Sequence, residues 1–190
     1  MKRKLQINLA AQSMFNDRGY SATSMRDLAK VVGIEPASLY NHYSSKEHIL
    51  NAICFDMAEQ FFEALNDLPK IESPSEELEN SIRSHIDVIT KNIDASRVFF
   101  LEWKHLNEPS LSEFKQMRKS YEAKFVSIIK RGIKLNEFHH IDPKVAVFTL
   151  LSSLNAIYDL YKPGRKFKTE VIADNICHIL LSGISKIKNK

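Results

Sequence analysis

The chain has 190 residues, 44% hydrophobic and 26% charged, with a net charge of +4. That apolar content can bury a core and excludes wholesale disorder, and five glycines and six prolines favour long helices over a turn-rich β fold. Residues 1–50 carry seven Lys/Arg against four Asp/Glu, residues 51–140 twelve against fifteen, and residues 141–190 eight against four. A mildly basic amino end suits a phosphate-facing surface, and the basic tail of Lys186, Lys188 and Lys190 suits a helix end. Cys54 and Cys177 lack CxxC spacing and sit among apolar residues, so buried thiols are expected rather than a disulfide framework or zinc site. Gln6, Asn8, Gln12 and Asn16 interrupt the amino end where a signal peptide needs an apolar run. The uncharged stretch Val145 to Tyr158 is too short to span a bilayer. The expectation is a cytoplasmic protein.

Apolar residues recur at helical spacing along the whole chain, which predicts an all-α fold of about nine helices. The first runs from about Arg3 to Arg18, with Ile7, Ala10, Ala11, Met14 and Phe15 on one side and Gly19 as its stop. The second opens at Thr23 or Ser24, where Ser24 with Asp27 resembles a capping box, and buries Leu28, Ala29 and Val32. Gly33 makes a tight turn, and Pro36 suits the first position of a short third helix, about Pro36 to His42. Ser44 and Glu47 read as a second capping box opening a long fourth helix to about Asp67, which Pro69 ends.

The fifth helix follows Ser73-Pro74-Ser75-Glu76 and continues to about Lys91. The sixth covers Ala95 to Leu106. Ser110 and Glu113 cap the seventh, with Phe114, Met117, Tyr121, Phe125, Ile128 and Ile129 at helical spacing and Gly132 near its end. Asp142-Pro143 opens the eighth, to about Tyr161. Lys162-Pro163-Gly164 is a stop, and the ninth runs from about Thr169 to Lys186.

The stretch Thr23 to Glu47, TSMRDLAKVVGIEPASLYNHYSSKE, is two short helices about a tight turn followed at once by a third helix start. That is a helix-turn-helix, a device for placing one helix in the DNA major groove. Thr23-Ser24, Leu28-Ala29, Gly33-Ile34, Leu39-Tyr40, His42-Tyr43 and Ser45-Lys46-Glu47 resemble, at matching spacing over about the first fifty residues, the DNA-binding signature of TetR-type repressors. Phe99-Phe100, Arg118, Tyr121-Glu122, Gly132, Asp142-Pro143, Leu154-Asn155, Tyr161-Lys162-Pro163-Gly164 and Gly183 resemble the members of that family that sense acyl-coenzyme A thioesters or related lipid metabolites.

The resemblance implies a helix-turn-helix domain at 1–47 and a helical ligand-binding and dimerisation domain at 48–190. It makes Tyr40, His42 and Lys46 phosphate contacts, with Thr23 or Ser24 doing the same at the second helix. Pro36, Ala37, Ser38 and Asn41 would face bases; Ala37 suits a thymine methyl and Asn41 an adenine. Glu35 departs from the Ser or Thr usual in the family: a carboxylate suits a helix start, repels phosphate, and can accept from a cytosine amino group. Caps and core are the plainer roles for Thr23, Ser24, Leu39 and Tyr43. An exposed Tyr40 beside His42 has no structural purpose, which favours function there.

The family would act as a homodimer on a pseudo-palindromic operator, pairing the eighth and ninth helices through Val147, Leu151, Leu154 and Tyr158 and through Ile172, Ile176, Ile179, Gly183 and Ile187; intrachain core is the alternative use of these stripes. In the body, Phe99, Trp103, Arg118, Tyr121, Phe125, Phe148, Asn155 and Tyr158 are the candidate contacts for an apolar or amphipathic effector, with ordinary core packing the alternative for any single ring. Lys104, Arg118, Lys162 and Arg165 would meet coenzyme A phosphates. The expected function is a repressor released by such an effector, with no cofactor and no metal. Two other functions compete. In the first, the body is a ligand-independent protein-docking surface beneath a DNA-binding head. More remotely, Glu137, His139, His140 and Asp142 are metal-capable residues of a small enzyme, although they lack the fixed spacing of a metal site.

Overall fold

The computed structural model describes residues 2–161 and 168–185, and these are helical with no strand among them. The order is α1 (Lys2–Arg18), α2 (Met25–Val32), α3 (Pro36–Tyr40), α4 (Lys46–Asn66), α5 (Pro74–Lys91), α6 (Ile93–Leu101), a 3-10 turn (Trp103–His105), α7 (Ser110–Lys134), α8 (Pro143–Asn155), α9 (Ile157–Leu160) and α10 (Thr169–Ile184). The nine expected helices are all present. The eighth is broken at Ala156, so its last turn stands apart as α9. The stop expected at Lys162-Pro163-Gly164 lies outside the described residues, as do Arg165 and the basic tail from Lys186.

The chain packs into two compact units, one of Met1–Glu59 with Asn92–Gln116 and one of Gln60–Lys91 with Met117–Lys190. Ile49, Leu50, Ile53, Cys54 and Met57 of α4 are buried in the unit that holds the helix-turn-helix, and α6 packs on α1 in the same unit.

In the first unit, Ile7, Ala11, Met14 and Phe15 of α1 are buried together with Leu28, Ala29, Leu39 and Tyr43. Gly19 and Gly33 take left-handed φ of 82° and 71°, a conformation that disfavours any side chain, and Gly33 ends α2 with its N–H on the carbonyls of Ala29 and Lys30. In the second unit, α5 packs on α8, α9 and α10. Phe138 is wholly buried, its N–H on the carbonyl of Gly132 at 3.2 Å, and the next N–H, of His139, reaches Ile184 at 2.9 Å. The segment after α7 thereby pins the end of α10. No described helix is long and apolar enough to cross a membrane.

Candidate nucleic-acid interface and effector groove

The α2 start is held as its sequence dictates. Ser24 Oγ accepts from the N–H of Asp27 at 3.1 Å, and the Asp27 carboxylate accepts from the Ser24 N–H at 3.2 Å and from its hydroxyl at 2.5 Å. These bonds to Ser24 hold the Asp27 carboxyl below the usual carboxylate range. Ser24 is exposed, so its cap lies at the surface. Thr23 is otherwise placed: it is 2% exposed, and its hydroxyl lies 3.0 Å from the Gly19 carbonyl and 3.4 Å from that of Met14. A hydroxyl so enclosed is a fastener between α1 and α2, and the expected phosphate contact at Thr23 does not fit this geometry.

Helix α3 buries only Leu39. Glu35, Pro36, Ala37, Tyr40 and Asn41 are exposed, while Ser38 and His42 are half-buried. Tyr40 keeps 53% of its surface open. Tyr43 carries the packing instead, fully buried with His48 edge-on to its ring at 5.3 Å. Arg26 and Lys30 of α2 are exposed beside this face in sequence, and they add cations that the reading of the motif alone omitted.

Lys46 is engaged within the protein. Its ammonium donates to the carbonyls of Tyr20 at 2.7 Å and Ser21 at 3.4 Å, sits 4.2 Å over the Tyr20 ring, and partial burial lowers its pKa. Two of its three N–H donors are thus occupied by the α1–α2 turn. The Ser44–Glu47 capping box is not formed. Ser45 caps α4 by accepting from His48 N at 3.0 Å, while Ser44 Oγ meets His48 Nδ1 at 3.2 Å. Glu47 binds Asn107 instead, accepting from its backbone N–H at 3.1 Å and its side-chain amide at 2.6 Å. One serine further along, the cap places Glu47 a residue short of where a capping box needs it.

Phe99 and Trp103 belong to the first unit, where their rings lie 5.2 and 5.9 Å from that of Phe114. In the second unit, Tyr121 and Asn155 meet through a residue the sequence did not single out. His85 is buried on α5, its Nδ1 2.9 Å from the Tyr121 hydroxyl and its Nε2 3.1 Å from Asn155 Oδ1. The Phe61 ring stacks on the imidazole at 4.6 Å. Burial pushes His85 down to about 3 and raises the Tyr121 phenol, so the network is neutral. One tautomer satisfies it: Tyr121 O–H donates to Nδ1, and Nε2–H donates to Asn155. Phe125 is wholly buried, 5.4 Å from Tyr121, and it serves the core. Tyr158 is half-buried.

Between α7 and α8 runs a groove of about 510 Å³ lined by Arg118, Lys119, Glu122, Ala123, Val126, Lys144, Val147, Phe148, Leu151, Ser152 and Asn155. It gathers the expected Arg118, Phe148 and Asn155 into one place, and Asn155 joins its wall to the buried His85. The groove has an apolar floor and three cations against one carboxylate. Phe148 is 74% exposed. Of the stripes expected to pair two subunits, Val147, Leu151, Leu154 and Ile172 are buried in the unit's own core, Tyr158 and Ile176 are half-buried, and Ile179 and Gly183 are exposed. Val145, outside those stripes, is 64% exposed on α8, and Ile179 is 68% exposed on α10. Ile187 lies outside the described residues.

Two of the four metal-capable residues are otherwise engaged. Glu137 accepts from Ser73 Oγ and from the Ser75 N–H, both at 3.0 Å, and Asp142 caps α8 by accepting from Lys144 N at 2.8 Å and Val145 N at 3.0 Å. No group of three metal-binding side chains occurs among the described residues.

A family model described as bacterial regulatory proteins, tetR family, matches residues 7–53, and one described as a tetracyclin repressor-like C-terminal domain matches residues 72–184. The HTH-type transcriptional repressor KstR2 of Mycolicibacterium smegmatis is 26% identical over 187 residues, covering 97% of this chain and 91% of that one. The ketosteroid transcriptional regulator KstR2 of Mycobacterium tuberculosis shares the fold at a TM-score of 0.88 and 23% identity, covering 98% of this chain and 96% of that one. AibR in complex with isovaleryl coenzyme A and operator DNA matches at a TM-score of 0.82 and 26% identity, over 94% of this chain and 98% of that one. With a head matched by one family model and more than half its length by another, the chain belongs to the TetR family of bacterial regulatory proteins.

Proposed function

We propose that this protein is a transcriptional repressor that binds a pseudo-palindromic operator as a homodimer and releases it when an anionic amphiphile occupies the groove between α7 and α8. The observation that carries the DNA reading is the face of α3: Pro36, Ala37, Tyr40 and Asn41 lie open on a helix whose one buried residue, Leu39, already anchors it. Ser24, at the exposed start of α2, and His42 supply phosphate contacts. The base-facing set is Pro36, Ala37, Ser38 and Asn41, with Tyr40 at its edge. Thr23 is left out because its hydroxyl is enclosed, and Lys46 acts by fixing the α1–α2 turn.

The groove supports an effector with an acyl or polycyclic body and an anionic head. Val126, Val147, Phe148 and Leu151 offer the apolar floor, Arg118, Lys119 and Lys144 the cations, and Asn155 a polar stop backed by His85. The likeness to AibR, solved with isovaleryl coenzyme A, supports a thioester as the first compound to try. The open apolar residues Val145 and Ile179 support pairing of α8 and α10 with a second copy, because exposed apolar patches of that kind mark interaction surfaces. Such pairing also sets the spacing of the two heads, which must match half-sites about 34–36 Å or a multiple apart.

An effector releases DNA only if it prefers the conformation that does not bind the operator. Typical coupling of about 1–3 kcal/mol would weaken operator affinity about 5–150-fold. A thermal-shift screen of acyl-coenzyme A esters, fatty acids and steroid acids finds binders, and fluorescence anisotropy on duplexes from the DNA flanking the protein's own gene tests whether they release it. Binding to no duplex at low salt would overturn the DNA reading. Ligands whose thermal shift survives Arg118→Ala with Lys144→Ala would overturn the groove.

A further inference from the structure

Glu35 is the one carboxylate among the exposed residues from 35 to 42, a stretch otherwise neutral or weakly basic. It stands immediately before α3 with extended backbone, φ −67° and ψ 143°, and its side chain makes no capping hydrogen bond. Among the described residues no hydrogen bond or ion pair holds it. Of the backbone donors that follow it, the N–H groups of Ser38 and Leu39 both reach the Glu35 carbonyl, at 2.9 and 3.3 Å. A carboxylate beside an occupied DNA backbone is repelled by phosphate unless it finds a donor, and no donor of its own helix holds it. In the major groove the donors are the exocyclic amino groups, and cytosine N4 is the partner suited to Glu. The small neighbours Pro36 and Ala37 leave room for α3 to come close enough for the carboxylate to reach that edge.

We infer that Glu35 is a specificity-determining residue that accepts from the amino group of a cytosine in each half-site, at the expense of affinity for DNA in general. This rests on the DNA-binding reading above and adds to it a base and a sign. Removing the carboxylate should tighten non-specific binding while erasing a preference at one position. Replacing it with an amide should admit adenine there, since Gln both accepts and donates and can take adenine N6 and N7 together.

The test is selection from a random duplex library with full-length protein, wild type and Glu35→Ala and Glu35→Gln, followed by binding at fixed salt to the selected duplex and its single-base variants. Thermal unfolding of each variant checks that it is folded. The expected result is a wild-type site with cytosine fixed at one symmetric position and a preference of about 5–150-fold over other bases there. That preference falls to near one for Glu35→Ala and moves toward adenine for Glu35→Gln, while the other positions keep theirs. An unchanged preference at every position in a folded Glu35→Ala variant overturns the assignment and leaves the DNA reading standing. Recovery of no preferred duplex by the wild type removes both.

Discussion

Replacing His85 by Phe tests the buried network through the pH dependence of stability. The ring keeps its stacking on Phe61, but the Tyr121 hydroxyl and the Asn155 carbonyl lose their partner. Stranding buried polar groups costs about 1–3 kcal/mol each, so the variant is weaker at pH 7. Acid narrows the gap. In the folded protein His85 stays neutral down to about 3, whereas in the unfolded chain it takes a proton near its ordinary value of about 6.5. Between those two values the unfolded state binds more protons, so the stability that neutral His85 contributes is present above about 6.5 and is lost as pH falls. From pH 7 to pH 5 the loss is about 2 kcal/mol. It depends little on where the folded value lies, provided it is well below 5. Urea unfolding of wild type and His85→Phe at both pH values, at one fixed protein concentration because association contributes to stability, should show the difference between the two shrinking by that amount. Parallel pH dependence in both proteins would refute a neutral, buried His85.

Gly132→Ala should destabilise although Ala is the better helix former by about 1 kcal/mol, because a methyl there overlaps the Phe138 ring and overpacking of about 1–3 kcal/mol wins; thermal unfolding should show the penalty disappearing in a Phe138→Ala background. Lys46→Ala should weaken binding to every duplex without changing the slope of affinity against salt, since its ammonium is held by Tyr20 and Ser21; a slope about 0.9 shallower would instead mark a direct phosphate contact. Val145→Glu with Ile179→Glu, both exposed in the single chain, should shift sedimentation to the mass of a single chain while leaving the helical circular dichroism intact, and an unchanged dimer would place the interface elsewhere.

Several helix limits were legible from short-range devices, although the cap of α4 is Ser45 and not the expected Ser44. Ser24 with Asp27, Gly33 and Asp142-Pro143 stand within a few residues of the backbone groups they satisfy. The break at Ala156 carries no such mark, since neither Gly nor Pro stands there and α8 yields to α9 through an ordinary right-handed residue at φ −80°. Partners far apart in sequence were beyond reach. Lys46 finds carbonyls 25 and 26 residues back, and Glu47 finds Asn107 60 residues on. His85 takes partners 36 and 70 residues away; the one local hint was a lone imidazole on the apolar face of α5 with Ile82, Ile86 and Ile89, which are buried around it. The groove had a clearer trace, because Arg118, Phe148 and Asn155 stood among the expected contacts and the fold brings all three to its wall.

The head divides its work between α2 and α3, and the division explains why the reading surface can vary. Helix α2 is closed at both ends by its own residues, with a capping box before it and a left-handed glycine after it. Helix α3 spans five residues with no side-chain cap, far too short to persist alone. Its order comes from two anchors. Leu39 lies inside the unit, and Tyr43 follows it there with its N–H on the Leu39 carbonyl at 3.1 Å. Glu35, Pro36, Ala37, Tyr40 and Asn41 point outward and are asked to stabilise nothing, and substitutions at such surface positions usually stay within about 0.5 kcal/mol. A short helix anchored in this way can exchange its exposed residues, Glu35 included, without disturbing the fold that presents them.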